Sequence, residues 1–129
     1  MKKAVSASPY EAAFGFSRAL RIGNHIIVSG TAPVEADGSS TPGDSAAQAR
    51  RCFAIILGAI GELGGSAADV VRTRTYITDP TDADAVGAVH GEVFRDVRPA
   101  STMVVVSALL RPEWRIEIEA EALIGHDTD

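Results

Sequence analysis

Arg115-Ile116-Glu117-Ile118-Glu119-Ala120-Glu121-Ala122 is the stretch on which the fold turns. Successive side chains of a strand point to opposite faces. Ile116, Ile118, Ala120 and Ala122 therefore make an apolar face, and Arg115, Glu117, Glu119 and Glu121 a charged one. Working back along the chain, Thr102-Met103-Val104-Val105-Val106 is a continuous apolar run, the pattern of a strand buried on both faces. Val70 to Thr78 is rich in β-branched residues and alternates, with Val71, Thr73, Thr75 and Ile77 on one face and Arg72, Arg74 and Tyr76 on the other. Ala19-Leu20-Arg21-Ile22 and His25-Ile26-Ile27-Val28-Ser29 read as a hairpin, because Gly23-Asn24 supplies the positive φ that a short turn needs.

Two helices separate these strands. Ser45 with Gln48 has the spacing of a capping box, and Asp44 places negative charge at the positive end of the helix dipole. Behind them Cys52, Phe53, Ile56, Leu57, Ile60 and Leu63 recur at helical spacing until Gly64-Gly65 stops the helix. Asp79-Pro80-Thr81-Asp82 opens a second helix whose apolar stripe is Val86, Val89, Val93 and Phe94, with His90 on the same side and Arg98-Pro99 at its end. Thr31 to Gly43 reads as a loop, and the tail from Gly125 to Asp129 as frayed. Two helices cover one face of such a sheet. The other carries Arg72, Arg74, Tyr76, the valine run and the acidic row, an aggregation hazard unless other subunits cover it.

With 129 residues the chain has the length of one domain, residues 1–129, and 46% apolar with 22% charged residues is a folding composition. A formal charge of −5, with no basic run beyond Lys2 and Lys3, argues against nucleic acid as the main partner. No apolar segment follows those lysines, so neither a signal peptide nor a membrane span is expected. The lone Cys52 cannot form an internal disulfide, which fits a reducing, cytoplasmic setting. The three histidines show no ligand spacing and no glycine loop links a strand to a helix start, so no metal or cofactor is expected.

Val28-Ser29-Gly30 followed by a Pro- and Gly-containing loop, Gln48 in a helix ending in Gly-Gly, Val70-Val71-Arg72-Thr73, Phe94 before Arg98-Pro99-Ala100, and Ile116-Glu117-Ile118-Glu119-Ala120 occur in this order. In that order and spacing the chain resembles the reactive intermediate deaminase family (RidA, or YjgF, also called endoribonuclease L-PSP). The resemblance implies a chorismate-mutase-like α+β fold: a mixed sheet with two helices on one face, assembled as a homotrimer around a central barrel with clefts between subunits. It implies hydrolysis of reactive imines and enamines to oxo-acids and ammonia, without a cofactor.

The resemblance carries Glu119 over as the residue that holds or activates water, and Ser29, Gly30 and Thr31 as substrate-binding positions. The family's carboxylate-binding arginine directly follows the Pro-Ala pair, and that position here is Ser101. Phe16 stands where the family has a tyrosine, Thr31 replaces a glutamine, Gly87 an asparagine and Met103 a cysteine. Arg74, or less directly Arg72, is the expected substitute for the lost arginine; either residue would equally pair with Glu117 or Glu119. Glu119 also reads as one member of a solvated acidic row. His90 reads as a packed core histidine or as a substrate contact, and Cys52 as packing. Tyr10 and Glu11 lie in a short insertion expected to fold over the cleft entrance.

The substitutions point to a small nitrogen compound other than the usual amino-acid-derived imines. A non-catalytic trimer that binds a metabolite in the same clefts is the alternative. A ribonuclease or translation inhibitor, which the family's other names suggest, gets little support from the acidic balance.

Overall fold

The computed structural model describes residues 1–6 and 8–126. Six strands form one sheet: β1 (Lys2–Ala4), β2 (Ala19–Ile22), β3 (His25–Thr31), β4 (Val70–Ile77), β5 (Ala100–Val105) and β6 (Ile116–Leu123), in the order β1-β2-β3-β6-β4-β5. All neighbours are antiparallel except β4 and β5, which run parallel across the connecting helix. The helices are α1 (Pro9–Phe14), α2 (Ser45–Glu62) and α3 (Ala83–Phe94).

The alternation in β6 decides the layering. Ile116, Ile118, Ala120 and Ala122 are buried, and together with Ile26 and Val28 of β3 and Ile77 of β4 they join Phe53, Ile56 and Ile60 of α2 and Val86, Val89 and Phe94 of α3 in one core. Each fully buried large aliphatic there contributes about 1.5–3 kcal/mol by leaving water. Because β6 sits between β3 and β4, Glu117, Glu119 and Glu121 come to the middle of the sheet.

The β2–β3 hairpin closes at Gly23-Asn24 as its sequence requires, with Ile22 opposite His25 and Gly23 at φ 58°. Gly64, at φ 91°, ends α2. A short 3₁₀ turn (Pro80–Asp82), capped by Asp79 accepting from Thr81 N, precedes α3.

Several expectations change. Ser45 and Gln48 do not form a capping box: Asp44 is the N-cap, accepting from Ala47 N at 2.9 Å. Gln48 turns inward instead. Its Nε2 donates to the carbonyls of Thr41 (3.2 Å) and Glu113 (2.9 Å), and its Oε1 accepts from Arg115 N (2.8 Å), tying the loop to the start of β6. Val71 leaves the core face because the β4–β6 register shifts between Val70 and Arg72, which buries Val70 in its place. Thr31 ends β3 rather than opening the loop.

The valine run is not buried on both faces in the chain alone. As β5 it is an edge strand hydrogen-bonded only to β4, and Val104 and Val105 are 43% and 52% exposed. The N-terminal segment, to which the sequence reading assigned no strand or helix, supplies an added edge strand and a third helix. Of the tail, His126 Nε2 lies 3.1 Å from the Ala68 carbonyl; residues 127–129 lie outside the described residues. No helix among the described residues is long and apolar enough to cross a membrane.

Candidate functional site

A cavity of about 400 Å³ opens between α1, the outer side of α2, the chain leaving β3, and the start of β6. Its walls are largely apolar, and Arg18, Gly30 and Glu117 supply its polar groups beside the sheet. Three local features bring these residues together.

The first is an irregularity in β3. Between Val28 and Thr31 its pairing with β6 shifts register, which exposes the backbone at Gly30. Ser29 Oγ donates to the Ser17 carbonyl (2.7 Å) and Thr31 Oγ1 to the Ser29 carbonyl (2.8 Å), so both hydroxyls hold the bulge. A Cβ placed on Gly30 would lie 3.0 Å from Glu117 Oε2, so glycine is what lets the carboxylate lie against the strand.

The second is Arg18, which enters β2 with its side chain only 7% exposed. Its Nη2 donates to the Gly30 carbonyl and its Nη1 lies 4.0 Å from Glu11 Oε2; among the described residues its Nε has no hydrogen-bond partner. Burial pulls the guanidinium below its ordinary value, opposed by the charges of Glu11 and Glu117.

The third is α1. Ser8 caps it, Pro9 begins it, and Gly15 in the left-handed conformation ends it. Glu11 is turned inward and buried, accepting from Ser6 N (3.0 Å) and Ser6 Oγ. The helix is thereby fastened to Arg18, and Tyr10 and Phe14 are held over the cavity.

Glu117 is consequently a carboxylate in a partly dry place. Burial pushes its pKa up, Arg18 opposes the shift and Glu119 adds to it. A carboxyl group raised in this way exchanges protons nearer neutral pH, as general acid–base chemistry requires.

The family described as Endoribonuclease L-PSP has a model that matches residues 6–124. This chain belongs to that family. It is 32% identical over 127 residues to the 2-iminobutanoate/2-iminopropanoate deaminase of Escherichia coli K12, covering 95% of this chain and 98% of that one. A protein of Streptomyces coelicolor is 36% identical over 125 residues, covering 97% and 93%. Among solved structures, Rv2704 of Mycobacterium tuberculosis, a YjgF/YER057c/UK114 family member, superimposes with a TM-score of 0.86 at 43% identity, covering 95% of this chain and 98% of that one. The YjgF gene product of E. coli gives 0.82 at 32%, covering 95% and 99%.

Within this endoribonuclease L-PSP fold, the residues singled out from the sequence fall in three places. Phe16 and Gly30 line the cavity. Glu119 and Arg74 are bound to each other's surroundings instead: Tyr76 Oη donates to Glu119 Oε1, and Arg74 Nη1 lies 3.8 Å from Glu119 Oε2. That hydrogen bond raises the Tyr76 pKa. Arg74 is thus not a free cation, while Arg72 is exposed. Ser101 and His90 meet elsewhere, through Thr73, whose Oγ1 donates to Ser101 Oγ (2.9 Å) and shares a hydrogen bond with His90 Nε2 (2.8 Å). His90 packs its ring against Phe53 and Phe94, and burial lowers its pKa. Cys52 is fully buried and its thiol pKa is pushed up by that burial, which keeps it protonated.

Arg18, Glu117 and Trp114 are cavity residues that the sequence reading passed over. Glu117 and Glu119 have the same parity in β6, so alternation cannot rank them. Only the bulge at Gly30 does. The signal available for Arg18 was its place directly after Phe16-Ser17 and immediately before the strand Ala19–Ile22.

Proposed function

We propose that this chain hydrolyses a small imine, enamine or related nitrogen compound, with Glu117 as the group that accepts and returns the proton. The observation that carries this reading is the Glu117 carboxylate lodged against Gly30 inside the cavity, with its pKa raised by burial. Water loses a proton to Glu117 and its oxygen bonds to the carbon of a protonated C=N group, giving a carbinolamine. Glu117 returns the proton to nitrogen, the C–N bond breaks to release ammonia, and the hydroxyl proton passes to that ammonia as the carbonyl forms. The sum is an iminium ion plus water going to a carbonyl compound plus ammonium.

The active form is a homotrimer. Val104, Ile27 and Leu123 leave apolar surface on the sheet face opposite the helices, and other copies of the chain cover it. Glu119, with Tyr76 and Arg74, lies on that face and serves as an alternative catalytic carboxylate.

Imines generated by an amine oxidase and by an amino-acid oxidase, with semicarbazide trapping what remains, provide the test. Wild type is expected to reduce trapping, Glu117→Gln to lose roughly 10²–10⁴-fold in rate, and Glu119→Gln to stay active. The reverse order of the two variants assigns the chemistry to Glu119. If neither imine series is consumed, the metabolite-binding reading takes its place; the engagement of Arg18 and Arg74 by carboxylates favours it over amino-acid imine hydrolysis.

A further inference from the structure

Four of the seven aromatic residues of the chain, Tyr10, Phe14, Phe16 and Trp114, line the same cavity. Tyr10 stacks obliquely on Phe14 with centroids 5.2 Å apart and meets Trp114 edge-on at 6.3 Å. Three carboxylates accompany them: Glu117 beside Gly30, Glu35 at the chain leaving β3, and Glu62 on the last turn of α2.

Each cation near the cavity already has partners. Arg51 Nε lies 3.1 Å from Glu35 Oε2 and donates to the Val34 carbonyl. Arg18 is held by Gly30, Glu11 and the Phe16 ring, 5.7 Å from its centroid. Arg111 lies over Tyr10 (5.8 Å) and Trp114 (5.2 Å). Setting these three guanidiniums against Glu11, Glu35, Glu62 and Glu117 leaves one net negative charge. Glu62 forms no ion pair among the described residues.

From this arrangement we infer that the cavity selects a small cationic nitrogen compound with an apolar body, a protonated imine or an amine, and rejects carboxylates. Aromatic rings with carboxylates at their edge are the chemistry that recognises a desolvated cation. A substrate carboxylate would enter a site whose guanidiniums are all engaged and whose remaining charge is of its own sign. The inference rests on the same cavity as the proposed C=N hydrolysis and names its substrate class: an iminium ion is both the cation this site takes and the form of an imine that water attacks.

Trp114 is the sole tryptophan, so its fluorescence reports occupancy directly. The probes are benzyltrimethylammonium, benzyl alcohol and phenylacetate, which share a ring and differ in charge, titrated near pH 7.5. The cation is expected to bind about 10-fold more tightly than the alcohol, and phenylacetate more weakly than either. Glu117→Gln and Glu62→Gln are each expected to narrow the cation's advantage; the second variant, at an exposed helix end, covers the case in which the first does not fold. Phenylacetate binding best, equal affinities, or no saturable change with any probe would overturn the inference. Binding is read without turnover, so the two readings can fail separately. Cation selectivity without imine hydrolysis removes only the deaminase, and hydrolysis of carboxylate-bearing imines with tight phenylacetate binding removes only the cation site.

Discussion

Substituting Gly30 by alanine moves Glu117 without touching it chemically. A Cβ at Gly30 would stand 3.0 Å from Glu117 Oε2 and 3.3 Å from its Cδ. Comfortable contact begins near about 3.5 Å, so the carboxylate must retreat by roughly 0.5 Å. Misplacing a catalytic group by about 1 Å costs on the order of 10²-fold, so half that displacement is expected to lower kcat/KM roughly 10-fold. Gly30 is not in the left-handed region, so alanine meets no backbone strain there. The chain-entropy gain of about 0.4–1 kcal/mol for Gly→Ala then offsets the tight contact. Stability should stay within about 1 kcal/mol, or about 4 °C in Tm. Imine consumption by semicarbazide competition and thermal unfolding by circular dichroism measure the two effects. Full activity in Gly30→Ala would refute the assignment of Glu117. A drop of more than about 3 kcal/mol would show that the carboxylate cannot move, and that the clash falls on the fold.

Three further outcomes follow from the same geometry. Burial raises the Glu117 pKa above its ordinary 4.5, so its protonated form favours folding, and that contribution is present below 4.5 and lost as pH rises through the folded value. Glu117→Gln should therefore gain Tm over wild type progressively above pH 4.5 and then level off; a difference that shrinks with rising pH contradicts this. Gln48→Ala removes three buried hydrogen bonds between the loop, α2 and β6 and is expected to cost about 2–4 kcal/mol in urea unfolding with an unchanged m-value; a loss under 0.5 kcal/mol would mean that water replaces them. Val104→Asp, on exposed apolar surface of the edge strand and on the face opposite the helices, should convert a trimer into monomer by light scattering, and an intact trimer would place the interface elsewhere.

The sequence by itself determined the layers of this protein. Alternation in Ile116 to Ala122, the helical stripe from Cys52 to Ile60 and the Gly23-Asn24 turn are local patterns, set by the 2.0 and 3.6 periods of strand and helix, and each appears in the structure where the residues place it. The order and spacing of short motifs were enough to suggest the family. What periodicity could not supply was anything that depends on which strand lies beside which. The valine run looked central because it is apolar throughout, yet β5 lies at the edge, because after pairing with β4 no further strand among the described residues lies beside it. Gln48 looked like a cap because its spacing fits one, but three inward partners far along the chain hold it instead. The sequence offered Phe16 and Gly30 as candidate site residues, and only the tertiary structure joined Arg18, Trp114 and Glu117 to them in one cavity. Glu117 and Glu119 are equivalent in the sequence, two residues apart on one face of one strand. The bulge in β3 brings Gly30 against the first, while the register of β4 gives Tyr76 and Arg74 to the second. A pattern of period two cannot tell such residues apart; the neighbouring strand can, because it sets how closely a backbone approaches each carboxylate and which charges surround it.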